Sequence, residues 1–461
     1  MLYHSLRAAA HVALRWYYAD VVVQGGDRVP PRGPLLVVAN HPNALVDALL
    51  VSTALHRRVL LTAKATLFEN AALGALLRAI GVVPLRRAAD ERAAARARPD
   101  AAVPIQRNTD SFEQVRAAFA RGGAVLVFPE GISHDEPHLA PLRTGAARMA
   151  LDAAARDIRG LRVLPVGLVF ERKEAPRSRV LVRVGDPIDV DAWLAAGGAP
   201  DAAALTAELD TALRAVTLNF ASDERAGRAV MLARALAAIA GPLPSVARPR
   251  DLLAEAAIAH RIERATERVA GAGDAIAEDA DRFVARVSTL EQKLARHGAN
   301  LGDVRVSPRL RHGAWFVVRE TSLAALALPV ALLGRVTHWL PLKLARSLAM
   351  RPLAADPSRD QPAMRTIVLG LVAVLAWYAL QFAVLTWWVG ALPALLWLIA
   401  IALAARIDFL FADRLRRAGE RARTYLALRR VPALRDEVLA ETASLLEDAE
   451  ALEAALLGDA R

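Results

Sequence analysis

Forty consecutive residues, Thr366 to Ala405, carry no charged side chain, and no other feature restricts the fold of this chain so strongly. At about 1.5 Å of rise per residue, a helix of that length measures roughly 60 Å, about twice the hydrocarbon thickness of a bilayer. Gly390 and Pro393 lie past the middle, where a tight turn fits. The expectation is a two-helix transmembrane hairpin over roughly 366–387 and 391–405. Trp377, Tyr378, Trp387, Trp388 and Trp397 are candidates for the membrane interface or for helix contacts. Arg365 on one side, and Arg406, Arg414, Arg416 and Arg417 on the other, put positive charge at both open ends, which points both to the cytoplasm. A buried core hairpin in a soluble protein is the alternative. A hydrophobic content of 55% agrees with burial in lipid or in a partner.

Other segments suggest membrane contact of a weaker kind. Leu323–Leu333 is apolar but short, and Arg335, His338 and Lys343 follow closely, so an interfacial or re-entrant segment is expected there. Residues 1–20 alternate apolar runs with Arg7, His11 and Arg15 and show no cleavage site of a signal peptide. They read as an amphipathic helix lying on a membrane or as a first helix packed on the domain. Asp413–Leu457 has helical spacing of Leu and Ala against Arg and Glu, an amphipathic tail suited to packing or dimerisation.

The chain has no cysteine, which excludes disulfides, thiol nucleophiles, zinc fingers and iron–sulfur clusters. A formal net charge of +11 points to nucleic acid, anionic lipid or phosphorylated substrates. The apolar excess favours the last two. Nucleic-acid binding is the weakest reading, since the arginines are scattered and no basic motif is interleaved with aromatics.

From Val21 to about Asp189 short apolar runs alternate with helical stretches. Pro34–Ala39, Val59–Thr62, Ala124–Phe128, Val163–Phe170 and Val180–Val184 read as buried strands; Ser111–Arg121 and Leu142–Arg156 read as helices. That order implies an α/β layered domain with a largely parallel central sheet. Ala88–Val103, rich in Ala, Arg and Asp, reads as a surface insertion. The expected organisation is residues 1–20, a catalytic-type domain over 21–198, a helical region over 199–320, a membrane-associated segment over 321–410 and the tail over 411–461.

Chemistry concentrates where strands end. Val37–Asp47 is a buried strand that breaks into Asn40-His41-Pro-Asn-Ala-Leu-Val-Asp47. A neutral imidazole titrates in the range suited to taking a proton from an alcohol, and a carboxylate on its other nitrogen fixes the tautomer. This is the orienting half of a serine-protease triad, with a substrate hydroxyl in place of serine. A structural strand-end histidine is the competing reading. Val125–Asp135 repeats the pattern with Glu130, Gly131, Ser133 and His134, and Arg143 follows. Carboxyl ends of strands in open α/β sheets bind ligands, so both turns belong on one side. Gly81–Arg87 places Arg86 and Arg87 after a short strand, and arginine forks match phosphate oxygens. Lys64 could help hold a phosphate or be an ordinary solvated lysine.

These blocks resemble the glycerolipid acyltransferases, which include glycerol-3-phosphate and lysophosphatidic acid acyltransferases. Asn40-His41…Asp47 resembles the catalytic first block, Gly81…Arg87 the second, Phe128-Pro-Glu-Gly131 with Leu139–Gly145 the third, and Val163-Leu-Pro-Val-Gly167 the fourth. The resemblance covers roughly residues 20–190. Two departures stand out. Five residues, Pro42–Val46, separate His41 from Asp47 where the family usually has four, and Gly131 is followed by Ile132-Ser133-His134-Asp135 instead of Thr-Arg-Ser. Both are similar to a subgroup that includes fungal glycerol-3-phosphate and dihydroxyacetone-phosphate acyltransferases.

The resemblance implies His41 as base, Asp47 as its partner, and Arg87 with the Glu130 loop as acceptor site. Arg86, His134 or Arg143 would compensate for the arginine missing after Gly131. It implies acyl-CoA or acyl carrier protein as donor, a phosphorylated glycerol acceptor, membrane lipid as surroundings and no cofactor. The expected location is a bacterial inner membrane, with the catalytic domain cytoplasmic. Two alternatives stand beside it: a metal-dependent phosphoester hydrolase using His41, Asp47, Glu130, His134 and Asp135 as ligands, and a non-catalytic membrane scaffold or lipid-transfer protein.

Overall fold

The computed structural model describes residues 2–85, 109–243, 245–247, 250–269, 274–307, 309–351 and 362–458. Arg86, Arg87 and the insertion expected at Ala88–Val103 lie outside the described residues. The chain divides into two compact units, one from Met1–Asn219 with Pro352–Ile367, the other from Phe220–Arg351 with Val368–Arg461.

The first unit is α/β. Helix α1 (Leu2–Tyr17) leads into strand β1 (Asp20–Gln24); β2 (Leu35–Ala39), α2 (Leu45–Ala54), β3 (Val59–Lys64), α3 (Ala71–Ala79) and β4 (Val83–Leu85) follow. Then come α4 (Thr109–Ala120), β5 (Ala124–Val127), α5 (Gly145–Ala155), β6 (Arg162–Phe170), β7 (Arg179–Val184), β8 (Ile188–Asp189), α6 (Val190–Ala195) and α7 (Ala202–Val216). The strands form one sheet in the order β1-β7-β6-β2-β5-β3-β4, with β8 also pairing β6. The run β6-β2-β5-β3-β4 is parallel throughout, as expected. β7 and β8 run antiparallel to β6. Only eight residues join β6 to β7, too few for a parallel crossover.

Every residue of β2 and β5 is buried, as strands covered on both faces must be. The pleat sends alternate residues to two cores. Leu35, Val37 and Ala39 pack with α1 and α2, and with Ala363 and Ile367. Leu36 and Val38 pack with α4, α5 and α7. Gly167, in the fourth sequence block, lies under the end of α7: a Cβ there would collide with the Val216 carbonyl. That glycine lets the helix seat on the sheet.

The second unit is helical: α8 (Asp223–Ala240), α9 (Leu252–Val269), α10 (Asp274–Arg296), α11 (Leu310–Ala349), α12 (Pro362–Val389, whose first turns belong to the α/β unit), α13 (Ala391–Arg430) and α14 (Pro432–Gly458). The amphipathic tail packs within this unit, Leu434, Val438 and Leu445 meeting Phe283, Val287 and Leu290.

Among the described residues three helices, α11, α12 and α13, are long and apolar enough to cross a membrane. This corrects the expected two-helix hairpin and the short interfacial segment before it. The turn at Gly390 is present, with φ +92, but α13 continues far beyond residue 405, and α11 is a continuous helix. Two of the polar residues that argued against a span at α11, Arg335 and His338, have partners on other helices. Arg335 pairs with Asp408 at 2.9 Å. His338 is buried and contacts the Tyr378 hydroxyl at 2.7 Å and the Gly334 carbonyl at 3.0 Å. Gly334 sits where a Cβ would strike the Ala404 backbone, so small residues bring α11 and α13 together.

Candidate active site

The carboxyl ends of β2, β5 and β6 are neighbours on one edge of the sheet, and the loops that leave them are tied into a single cluster. Asn40 begins the first loop. Its side-chain amide donates to Leu168 O at 3.1 Å and its Oδ1 accepts from Leu168 N at 2.7 Å. In this way Asn40 continues the β2–β6 ladder by one side chain after the strand has ended. The His41 N–H donates to Glu130 Oε1 at 2.8 Å.

The two candidate chemical groups meet. His41 Nδ1 lies 3.0 Å from Asp47 Oδ2. The same carboxylate oxygen accepts from Asn43 N at 2.7 Å. The Asp47 side chain is fully buried and that of His41 is 11% exposed, so the carboxylate is shielded while the imidazole reaches the surface. Burial raises the Asp47 carboxyl above its usual range, and the hydrogen bond from His41 partly offsets this. His41 Nε2 has no hydrogen-bond partner among the described residues. The ring stacks on Phe128 with centroids 3.9 Å apart and planes 9° from parallel, which fixes its plane and dries one face.

The turn between them is strained. Ala44 has φ +47, a conformation that costs a β-carbon residue about 1–3 kcal/mol. Its N–H is held by Ser133 Oγ at 3.1 Å. The extra residue between His41 and Asp47 is accommodated here: Asp47 falls in the first turn of α2, and the strained bend turns it back to the imidazole.

Glu130 is buried, and both its oxygens are used inside the protein. Oε1 takes the His41 N–H; Oε2 takes Ala140 N at 2.7 Å and meets His134 Nε2. The Glu130 hydrogen bond raises the His134 imidazole above its usual range against the opposing effect of burial. Gly131 has φ +77, with the Arg143 stem beside it. The exposed Arg143 guanidinium makes no hydrogen bond or ion pair among the described residues. Of the residues expected to bind the acceptor, Glu130, Ser133 and His134 thus have partners within the loops, whereas Arg143 points a free cation outward. Lys64 ends β3 opposite Leu85, so it stands level with the last described residue before Arg86. Arg86 and Arg87 themselves lie outside the described residues.

Sequence reasoning missed three members. Lys173 Nζ donates to Pro42 O at 3.0 Å and His134 O at 3.2 Å, and pairs with Asp135. Asn43 Nδ2 donates to the Lys173 carbonyl and to the Tyr18 hydroxyl, each at 3.1 Å. The strand-end rule that singled out His41 and Glu130 would also have reached Lys173, three residues past β6. Tyr18 follows α1 and carries no local signal. The five residues considered as a metal set fall into separate pairings: His41 with Asp47, Glu130 with His134, and Asp135 with Lys173. Among the described residues no group of three or more His, Asp or Glu is placed to hold a metal ion.

Residues 20–169 match the Acyltransferase family model. An uncharacterized acyltransferase of Schizosaccharomyces pombe is 25% identical over 256 residues, 39% of this chain and 38% of that protein. Glycerol-3-phosphate O-acyltransferase 2 of Saccharomyces cerevisiae is 42% identical over 85 residues, and glycerol-3-phosphate O-acyltransferase 1 of the same yeast 34% over 87. Each of those two alignments covers 18% of this chain and 11% of the yeast protein. The chain therefore spans well under two thirds of the length of each of these relatives. The crystal structure of the 1-acyl-sn-glycerophosphate (LPA) acyltransferase PlsC from Thermotoga maritima aligns over 46% of this chain and 78% of that one, at 20% identity and a TM-score of 0.35. The family matches bear out the resemblance read from the four sequence blocks.

Proposed function

We propose that this chain, whose residues 20–169 belong to the acyltransferase family, moves a fatty acyl group from acyl-CoA or acyl carrier protein to a hydroxyl of glycerol 3-phosphate or 1-acylglycerol 3-phosphate. The observation that carries the reading is an imidazole bound through Nδ1 to a buried carboxylate, its Nε2 without a hydrogen-bond partner among the described residues, at the carboxyl-end edge of the sheet. With Asp47 ionised, Nδ1 carries the proton and Nε2 is the basic nitrogen. Nε2 takes the acceptor hydroxyl proton as that oxygen attacks the thioester carbon. The C–S bond then breaks, the ester C–O bond is complete, and the proton passes from Nε2 to the departing thiolate. Asp47 stabilises the imidazolium between these steps.

Arg87, Arg86 and Arg143 are assigned to the acceptor phosphate, with Lys64 near the same edge. Glu130, Ser133 and His134 are assigned to holding the two loops in register. The apolar helices keep the domain beside the lipid that dissolves donor tails and products, at the cytoplasmic face of a bacterial inner membrane. The test is an assay of purified protein in detergent with labelled acyl-CoA, offering glycerol 3-phosphate, dihydroxyacetone phosphate and lysophospholipids in parallel. Labelled ester product that disappears in a folded His41→Ala variant supports the reading. Release of phosphate without ester, or undiminished transfer by His41→Ala, overturns it.

A further inference from the structure

The opposite edge of the same sheet, where β2, β3 and β5 begin, holds a second concave feature. A cavity of about 710 Å³ is lined there by Arg32, Arg57, Arg58 and Arg121 together with Gly33 and Gly122. Strand β2, at about 3.3 Å per residue, separates this edge from the His41 edge by roughly 16 Å. No carboxylate lines the cavity among the described residues. The four arginines divide into two kinds. Arg57 donates to the carbonyls of Pro30 at 2.9 Å, Gly33 at 2.8 Å and Gly122 at 2.6 Å, and so ties together the two loops that form the walls. Arg32, Arg58 and Arg121 are exposed and form no ion pair among the described residues. Arg58 is held in place over the Tyr3 ring, 4.8 Å from its centroid.

Guanidinium groups elsewhere in this unit do find carboxylates: Arg28 with Asp186, Arg116 with Glu113, Arg159 with Asp157, Arg179 with Glu171. Three cations with no ion-pair partner among the described residues repel one another around one concavity, and an anion between them removes that repulsion. Guanidinium forks match the tetrahedral oxygens of phosphate. Gly33, at φ +89, has open space where a Cβ would project, which leaves the backbone approachable.

We propose that this cavity binds a phosphate group, with Arg32, Arg58 and Arg121 as its ligands and Arg57 holding their loops. The chemistry has two sources, the headgroup of an anionic lipid and a free phosphate compound. The site lies on the edge away from His41, so it anchors the α/β unit or its ligand and takes no part in the reacting centre.

The test is arginine footprinting with phenylglyoxal on the full chain in nanodiscs, read by peptide mass spectrometry with Arg28 and Arg159 as internal references. One arm uses phosphatidylcholine discs with millimolar sodium phosphate against sodium chloride of equal ionic strength. The other compares phosphatidylcholine discs with discs containing phosphatidylglycerol, without phosphate. The expected result is several-fold slower modification of Arg32, Arg58 and Arg121 together in at least one arm. Slowing in the first arm assigns free phosphate, and slowing in the second assigns the lipid headgroup. Unchanged rates in both arms overturn the proposal, as does equal slowing by chloride. In Arg58→Gln the protection of Arg32 and Arg121 should fall; protection that persists in full overturns a shared site. The wild-type footprint decides the matter even where that variant fails to fold.

Discussion

Replacing Asp47 by Asn removes the charge of this carboxylate while keeping its shape. Oδ2 serves both neighbours: it accepts the Asn43 N–H at 2.7 Å and faces His41 Nδ1 at 3.0 Å. An amide with its oxygen at that position keeps both bonds and the Nδ1–H tautomer, because the flipped amide would set its NH2 against the Asn43 N–H. What is lost is the negative charge that steadies the imidazolium in the proposed reaction. A hydrogen bond to a charged group contributes about 1.5–3 kcal/mol, equivalent to roughly 10–150-fold in turnover. The fold should not suffer. Burial raises the Asp47 carboxyl above its usual range, so its ionised form is disfavoured in the native state. A group raised in this way stabilises the fold most below its unfolded value, and that contribution is lost as pH rises through the native value. A neutral amide escapes the loss. Thermal unfolding in detergent should therefore show Asp47→Asn at least as stable as wild type at neutral pH, with its relative stability rising from the ordinary carboxylate range upward. The assay is kcat and acceptor KM with labelled acyl-CoA. Turnover within about twofold of wild type would refute the charge argument, and a collapsed fold would refute the burial argument.

Asn40→Ala removes both hydrogen bonds to the Leu168 backbone and leaves its N–H and C=O without those partners; a loss of about 2–4 kcal/mol in chemical denaturation is expected, and a change under half of that would count against the ladder-extending role. In His134→Gln the Glu130 partnership loses its ionic part. Since the imidazole is held above its ordinary range, the wild-type advantage is complete below that range and fades as pH rises through the native value; melting curves of both proteins across neutral to alkaline pH check this, and a gap that widens with pH contradicts it. Arg87→Ala is expected to raise the acceptor KM with little change in kcat, and a pure loss of turnover at unchanged KM would remove Arg87 from the phosphate.

Much of the α/β unit was legible because its central strands are buried on both faces and so appear as unbroken apolar runs. Leu35–Ala39, Ala124–Val127 and Arg162–Phe170 fall where those runs predicted strands. The membrane region was legible only where it was uncharged. A hydropathy reading treats Arg335, His338 and Lys343 as arguments against a span. It does not see that Asp408, seventy-three residues away, takes the arginine, or that Tyr378 takes the histidine. A polar residue inside an apolar helix carries its cost only when it is unpaired, and pairing between helices has no local signature.

The candidate active site shows the same division. His41 and Asp47 lie six positions apart, so their encounter depends on local geometry, and the residues themselves suggest it. What holds them there comes from elsewhere in the chain. Glu130 grips the His41 backbone across eighty-nine positions, and Asn40 reaches Leu168 across 128. The Lys173 carbonyl receives Asn43 across 130. Reading Glu130, Ser133 and His134 as acceptor-site residues followed from the family resemblance and from their place at a strand end, and neither separates residues that touch substrate from those that hold the loop. The separation comes from satisfied valences. Both Glu130 oxygens and the Ser133 hydroxyl are engaged inside the fold, whereas the Arg143 guanidinium and His41 Nε2 have no partner among the described residues. The pairing assigns chemistry to groups left open at the surface and scaffolding to groups closed within it. A loop variant such as Glu130→Gln should therefore lower kcat through a misplaced His41 while leaving the acceptor KM nearly unchanged. A selective rise in KM would return Glu130 to the substrate.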